Sequence, residues 1–86
     1  MSRIKNAIAR LKSLPKNYTY IEARNLLVYL GFEEKNKGRT SGSRVLFFRD
    51  SDNTKILLHK PHPGNEMKKY AVQQLLEKLK EIGDIL

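Results

Sequence analysis

RVLFFRDSDNTKILLH, residues 44–59, decides the fold. Two runs rich in aromatic, β-branched and long aliphatic residues flank DSDN, a cluster of turn formers. Reading DSDN as a four-residue loop makes a hairpin and pairs Arg49 with Thr54. The register then sets Phe47 opposite Ile56, Val45 opposite Leu58 and Arg44 opposite His59. Side chains along a strand alternate between faces. Val45, Phe47, Ile56 and Leu58 therefore share one face, all apolar and suited to lie beneath helices. Arg44, Leu46, Phe48, Lys55, Leu57 and His59 share the other, which is half polar and open near Arg44 and His59. A one-residue slip would mix the two sets, which favours this register.

Outward from the hairpin, the flanking segments read as helices and one further strand. Residues 3–13 carry Ile4, Ala7, Ile8 and Leu11 on one helical stripe, with Arg3, Lys5, Arg10 and Lys12 around it. Pro15 stops this helix. Its stripe is narrow and lacks an aromatic anchor, so a helix capping the core fits better than one lying on a membrane. Thr19 and Glu22 have capping-box spacing at the start of a second helix. Ala23, Leu26, Leu27 and Leu30 form its buried stripe. Gly31 closes its last turn, and Phe32 packs back on Leu27. Residues 32–36 read as a short strand, followed by a basic loop. After the hairpin, Asn65 reads as the N-cap of a last helix with the stripe Val72, Leu75, Leu76, Leu79 and Ile82, ended by Gly83. The expected order is α-α-β-β-β-α. It is an α+β fold, a small antiparallel three-stranded sheet with helices packed on one face.

Eighty-six residues allow one domain with one modest core. Residues 1–86 are read as that domain, with residues 1–16 an N-terminal amphipathic addition to a core at 17–86. The chain has no cysteine, which excludes disulfides and thiolate metal sites. No apolar run approaches a membrane span, and the N-terminus lacks the apolar core of a secretion signal. A cytoplasmic protein with no membrane partner is expected. The net charge is +8. Residues 1–49 hold eleven Lys and Arg against three Asp and Glu, while residues 50–86 hold six of each. The whole surplus lies in the first part of the chain, and such a field attracts polyanions, with RNA, DNA and anionic lipid as candidates.

The only two histidines are His59 and His62. The hairpin register puts His59 across from Arg44, with Lys55 and Lys60 nearby. Cationic neighbours oppose a further positive charge, so a ring able to accept a proton is expected there. Arg44 is a permanent cation whose fork suits phosphate. Together they make a candidate phosphodiester site; the alternative is an exposed cross-strand pair with no task. His62 lies between two prolines ahead of a helix N-terminus, where free amides can bind an anion; packing in a loop is the plainer fate. A His59–His62 metal pair with Glu66 is disfavoured, because Pro61 and Pro63 stiffen the spacing and no cysteine can join it. No metal and no cofactor are expected. KNKGRTSGS, residues 35–43, is no Walker motif. It offers Lys35, Lys37 and Arg39 as cations able to follow a phosphate backbone, or it is a solvated loop. A nucleophilic Ser41 or Ser43 lacks partners, since Asp50 and Asp52 lie at the far end of the hairpin.

The stretches YTYIEARNLLVYLGFEE, GSRVLFFR and LLHKPHPGNEMKK, in this order, resemble the HicA toxin family from residue 18 to residue 85. The likeness rests on the helix ending in Leu-Gly-Phe-Glu, the Gly-Ser pair opening the hairpin, and the histidine closing the next strand. It implies a fold like a double-stranded RNA-binding domain. It also implies an RNA-binding toxin of a type II toxin-antitoxin system, an mRNA endoribonuclease (mRNA interferase) neutralised by a HicB-like antitoxin. Residues 3–13 are extra to that pattern. The family's usual catalytic histidine follows Gly-Ser, and here that position is Arg44, which cannot act as a base. Either His59 supplies proton transfer while Arg44 stabilises charge, with Lys35, Lys37, Arg39, Ser43, Lys60 and His62 contacting RNA, or the protein binds RNA without cutting it. A third reading uses the Leu46, Phe48 and Leu57 patch to pair with a second copy as a homodimer, or with another chain such as the antitoxin.

Overall fold

The computed structural model describes residues 3–35, 44–61 and 64–85. In chain order the elements are α1 (Arg3–Lys12), α2 (Tyr20–Tyr29), β1 (Glu33–Glu34), β2 (Arg44–Arg49), β3 (Thr54–His59) and α3 (Lys69–Glu81). The three strands form one antiparallel sheet in the order β1-β2-β3. The architecture is α+β with the expected order of elements.

Local chemistry explains most of the boundaries. At the start of α2, the Thr19 hydroxyl accepts from the Glu22 amide at 3.2 Å, and the Thr19 amide donates to the Glu22 carboxylate at 3.0 Å. This reciprocal capping box satisfies two donors that a helix start leaves open. At the other end, Gly31 takes φ +97°, which a Cβ would strain. Its amide donates to the Val28 carbonyl and that of Phe32 to the Leu27 carbonyl, completing a Schellman motif. Phe32, spent on this closure and buried, does not join the sheet. The strand after it is therefore shorter than residues 32–36, although the Lys35 amide still donates to the Leu46 carbonyl at 2.7 Å.

The hairpin has the expected register. Arg44 pairs with His59, Val45 with Leu58, Phe47 with Ile56 and Arg49 with Thr54. Val45, Phe47, Ile56 and Leu58 are buried and join one cluster with Leu11 of α1, Leu26 and Leu27 of α2, and Val72, Leu75, Leu76 and Leu79 of α3. Each fully buried large apolar side chain in such a cluster contributes about 1.5–3 kcal/mol of transfer free energy. The helices thus lie on one face of the sheet and the other stays open.

One boundary differs from the sequence reading. Asn65 does not cap α3; the helix starts after Lys68, which makes no side-chain cap bond. Asn65 and its neighbours are held elsewhere. The Tyr20 amide donates to the Asn65 carbonyl at 2.8 Å, the Met67 amide donates to the Tyr18 carbonyl at 2.7 Å, and Thr19 and Glu66 form an isolated bridge. This short antiparallel contact between the entries to α2 and α3 keeps residues 65–67 out of the helix and delays its start.

Candidate functional site

Arg44 opens β2 and His59 closes β3, and the register makes them direct partners. Partners on adjacent antiparallel strands point to the same face with Cβ atoms about 4.5–5.5 Å apart. Both side chains are exposed. The open face continues with Leu46 opposite Leu57 and Phe48 opposite Lys55. Leu46 and Phe48 are half-buried, whereas Leu57 is 51% exposed. A guanidinium and an imidazole thus stand at one end of a partly apolar surface.

β3 is an edge strand, and a groove runs between it and α3. One cavity of about 760 Å³ is lined by His59, Lys60, Glu66, Lys68 and Tyr70, among others. A second of about 470 Å³ is lined by Lys55, Leu57, His59, Tyr70 and Lys78, among others. His59, Met67, Tyr70 and Ala71 line both cavities. The imidazole therefore stands where the open sheet face meets this groove.

Several cations of the basic first half are already engaged. Arg10 bonds Glu22 and, with the Thr19 amide, holds that carboxylate below its ordinary pKa. Arg24 Nε bonds Glu34 at 2.9 Å, and the Tyr20 hydroxyl donates to the same carboxylate at 2.9 Å. Arg24 first, and the Tyr20 hydroxyl after it, keep Glu34 ionised below the usual carboxylate range. Lys60 lies over the Tyr20 ring at 5.7 Å from its centre, which places its ammonium beside this network and next in sequence to His59. Lys35 meets Glu33 at 2.9 Å. An exposed pair of this kind contributes little to stability.

Arg49 is the cation the sequence reading missed. It lies on the same strand face as Val45 and Phe47, so alternation sends it toward the core. There it bonds the Leu30 carbonyl at 2.9 Å, pairs with Asp84 and Asp52, and covers the Phe32 ring at 4.5 Å. It is a structural tie between α2, the hairpin turn and the end of α3. Strand parity was the signal that could have shown this. Of the other expected site residues, Lys37, Arg39, Ser43 and His62 lie outside the described residues, so the basic loop and the His59–His62 pair are not placed.

These observations define a small basic α+β domain. It carries an arginine–histidine pair on an open sheet face and a groove with lysines on both sides. The family model for the HicA toxin of bacterial toxin-antitoxin systems matches residues 22–83, and the chain belongs to that family. Membership implies an antitoxin partner. Neither the curated proteins nor the solved structures give a match. Among the described residues, no helix is long and apolar enough to cross a membrane.

Proposed function

We propose that this HicA-family toxin binds messenger RNA in the cytoplasm and cleaves it without a metal ion, using His59 for proton transfer and Arg44 for charge stabilisation. The reading is supported above all by the pairing of these two exposed side chains across β2 and β3. The RNA 2′-oxygen attacks the adjacent phosphorus while the imidazole of His59 takes its proton. The bond from phosphorus to the 5′-oxygen breaks, and that oxygen receives a proton from the ring or from water. The products are a 2′,3′-cyclic phosphate and a 5′-hydroxyl. Charge grows on the non-bridging oxygens during attack, where the Arg44 fork is suited to bind it. Lys35 and Lys60, with Lys37, Arg39, Ser43 and His62, contact the flanking phosphates. A HicB-like antitoxin that covers Leu57 and the open face would block the same pair.

A second reading, RNA binding without cleavage, draws on Arg44 itself, which stands after Gly42-Ser43 where the family resemblance expects histidine. Losing a general base costs about 10²–10⁴-fold in rate. Incubation of purified protein with single-stranded RNA in chelator separates the two. Cleavage that leaves cyclic phosphate ends and disappears in His59→Ala, with melting unchanged, is the expected result. Intact RNA that is nevertheless shifted in a gel supports the binding-only reading and refutes the nuclease.

A further inference from the structure

Tyr70 is the most exposed large apolar side chain among the described residues, at 58%. It is the second residue of α3 and lies outside the buried stripe of Val72, Leu75, Leu76 and Leu79. It packs nothing in the core, yet it lines both cavities of the groove together with His59. Lysines stand on either side of it. Lys60 and Lys68 line the first cavity, Lys55 and Lys78 the second, against the single carboxylate of Glu66. A polyanion crossing the groove would meet cations before and after the ring, and the ring would meet whatever flat group the polyanion carries.

We infer that Tyr70 is the stacking platform for one unpaired base next to the phosphodiester at His59, so the RNA taken by this groove is single-stranded. The inference rests on the RNA-cleaving reading and deepens it. An aromatic ring between phosphate-binding cations is the arrangement that holds single strands without sequence preference. In a duplex the bases stack on one another and offer no face to a side chain, and A-form helices are recognised by shape and by their 2′-hydroxyls. The groove therefore selects against paired RNA, even though the family resemblance implies a fold shared with duplex binders. The charge of the rim favours this occupant over an extended peptide added to the β3 edge, which would need an acidic sequence to match four lysines.

The test uses the full chain and fluorescence anisotropy with a labelled 2′-O-methyl oligonucleotide, which lacks the attacking hydroxyl and stays intact. The same sequence is also offered as an unmodified RNA duplex, which keeps the 2′-hydroxyls that a duplex reader would use. Wild type should prefer the single strand. Tyr70→Ala should weaken that binding by roughly 5- to 100-fold, the range that stacking on one aromatic ring supplies. Tyr70→Phe should stay within about threefold, because it keeps the ring. Both variants should melt as wild type does, since the side chain is exposed. Undiminished single-strand binding by Tyr70→Ala, or preference for the duplex, overturns the inference while leaving the RNA-cleaving reading in place. Loss of antitoxin capture by Tyr70→Ala with no change in RNA binding also overturns it, by assigning the groove to a protein. A wild type that neither binds nor cuts RNA defeats both readings.

Discussion

Replacing Arg49 by methionine should destabilise the fold by about 3–5 kcal/mol, the cost of breaking a buried ion pair by removing one partner. The value follows from what the guanidinium touches. Its side chain is 12% exposed and that of Asp84 14%, so this pair is nearly out of water. Without Arg49, Asp84 remains as a lone carboxylate in that setting. The Leu30 carbonyl also loses its donor, which costs on the order of 1 kcal/mol. Asp52 lies in solvent and adds little. Methionine keeps the stem over Gly31 and Phe32, so packing is largely retained. For a domain of this size each kcal/mol moves the melting temperature by about 4–8 °C. A fall of at least about 12 °C in a thermal melt followed by circular dichroism is therefore expected. Arg49→Met/Asp84→Leu should recover part of the loss, because the stranded charge is gone. A loss below about 1 kcal/mol for Arg49→Met would refute the assignment. So would a large drop in RNA affinity with melting unchanged, since that outcome would make Arg49 a phosphate contact.

Two further outcomes are expected. Glu22, Glu34 and Asp52 all have pKa values lowered on folding, by Arg10, Arg24 and Arg49 respectively, with Asp52 brought to about 2. Their stabilisation is present above the unfolded carboxylate range and is lost as pH falls through the folded values, so melting temperature should hold from pH 7 to about 5 and decline toward pH 2; a rise on acidification would contradict these ion pairs. If the groove carries RNA, Lys60→Ala and Lys68→Ala should each reduce the slope of log affinity against log salt by about 0.7, and an unchanged slope would place the phosphates elsewhere.

The hairpin was legible because its signal is local. A turn cluster between two β-rich runs sets the register, and the register sorts apolar from polar side chains. The second helix was legible for the same reason, with Thr19, Glu22 and Gly31 all within a dozen residues. What escaped was non-local. Asn65 has the chemistry of an N-cap, but its carbonyl is taken by the Tyr20 amide from 45 positions away in the chain, and no pattern near Asn65 reveals that. The burial of Met67 and Tyr18 comes from the same contact between distant segments. At the candidate site, the Arg44–His59 pairing followed from counting rungs. The groove did not, because it depends on where α3 lies against the edge of β3. Tyr70 was overlooked for the same reason: an aromatic residue off the buried stripe has no meaning until the surface beside it is known.

The family signature begins at residue 22, but the hydrophobic cluster does not. Leu11 and Tyr18 are members of it, and Arg10 holds the carboxylate that caps α2. A chain trimmed to the recognisable segment would lose four interior plugs, Leu11, Tyr18, Tyr20 and Ile85, and strand Glu22 without its counter-ion. The stretch that marks ancestry is thus shorter than the stretch that must fold together to present it, and expression boundaries for such toxins are better drawn around the buried cluster than around the signature.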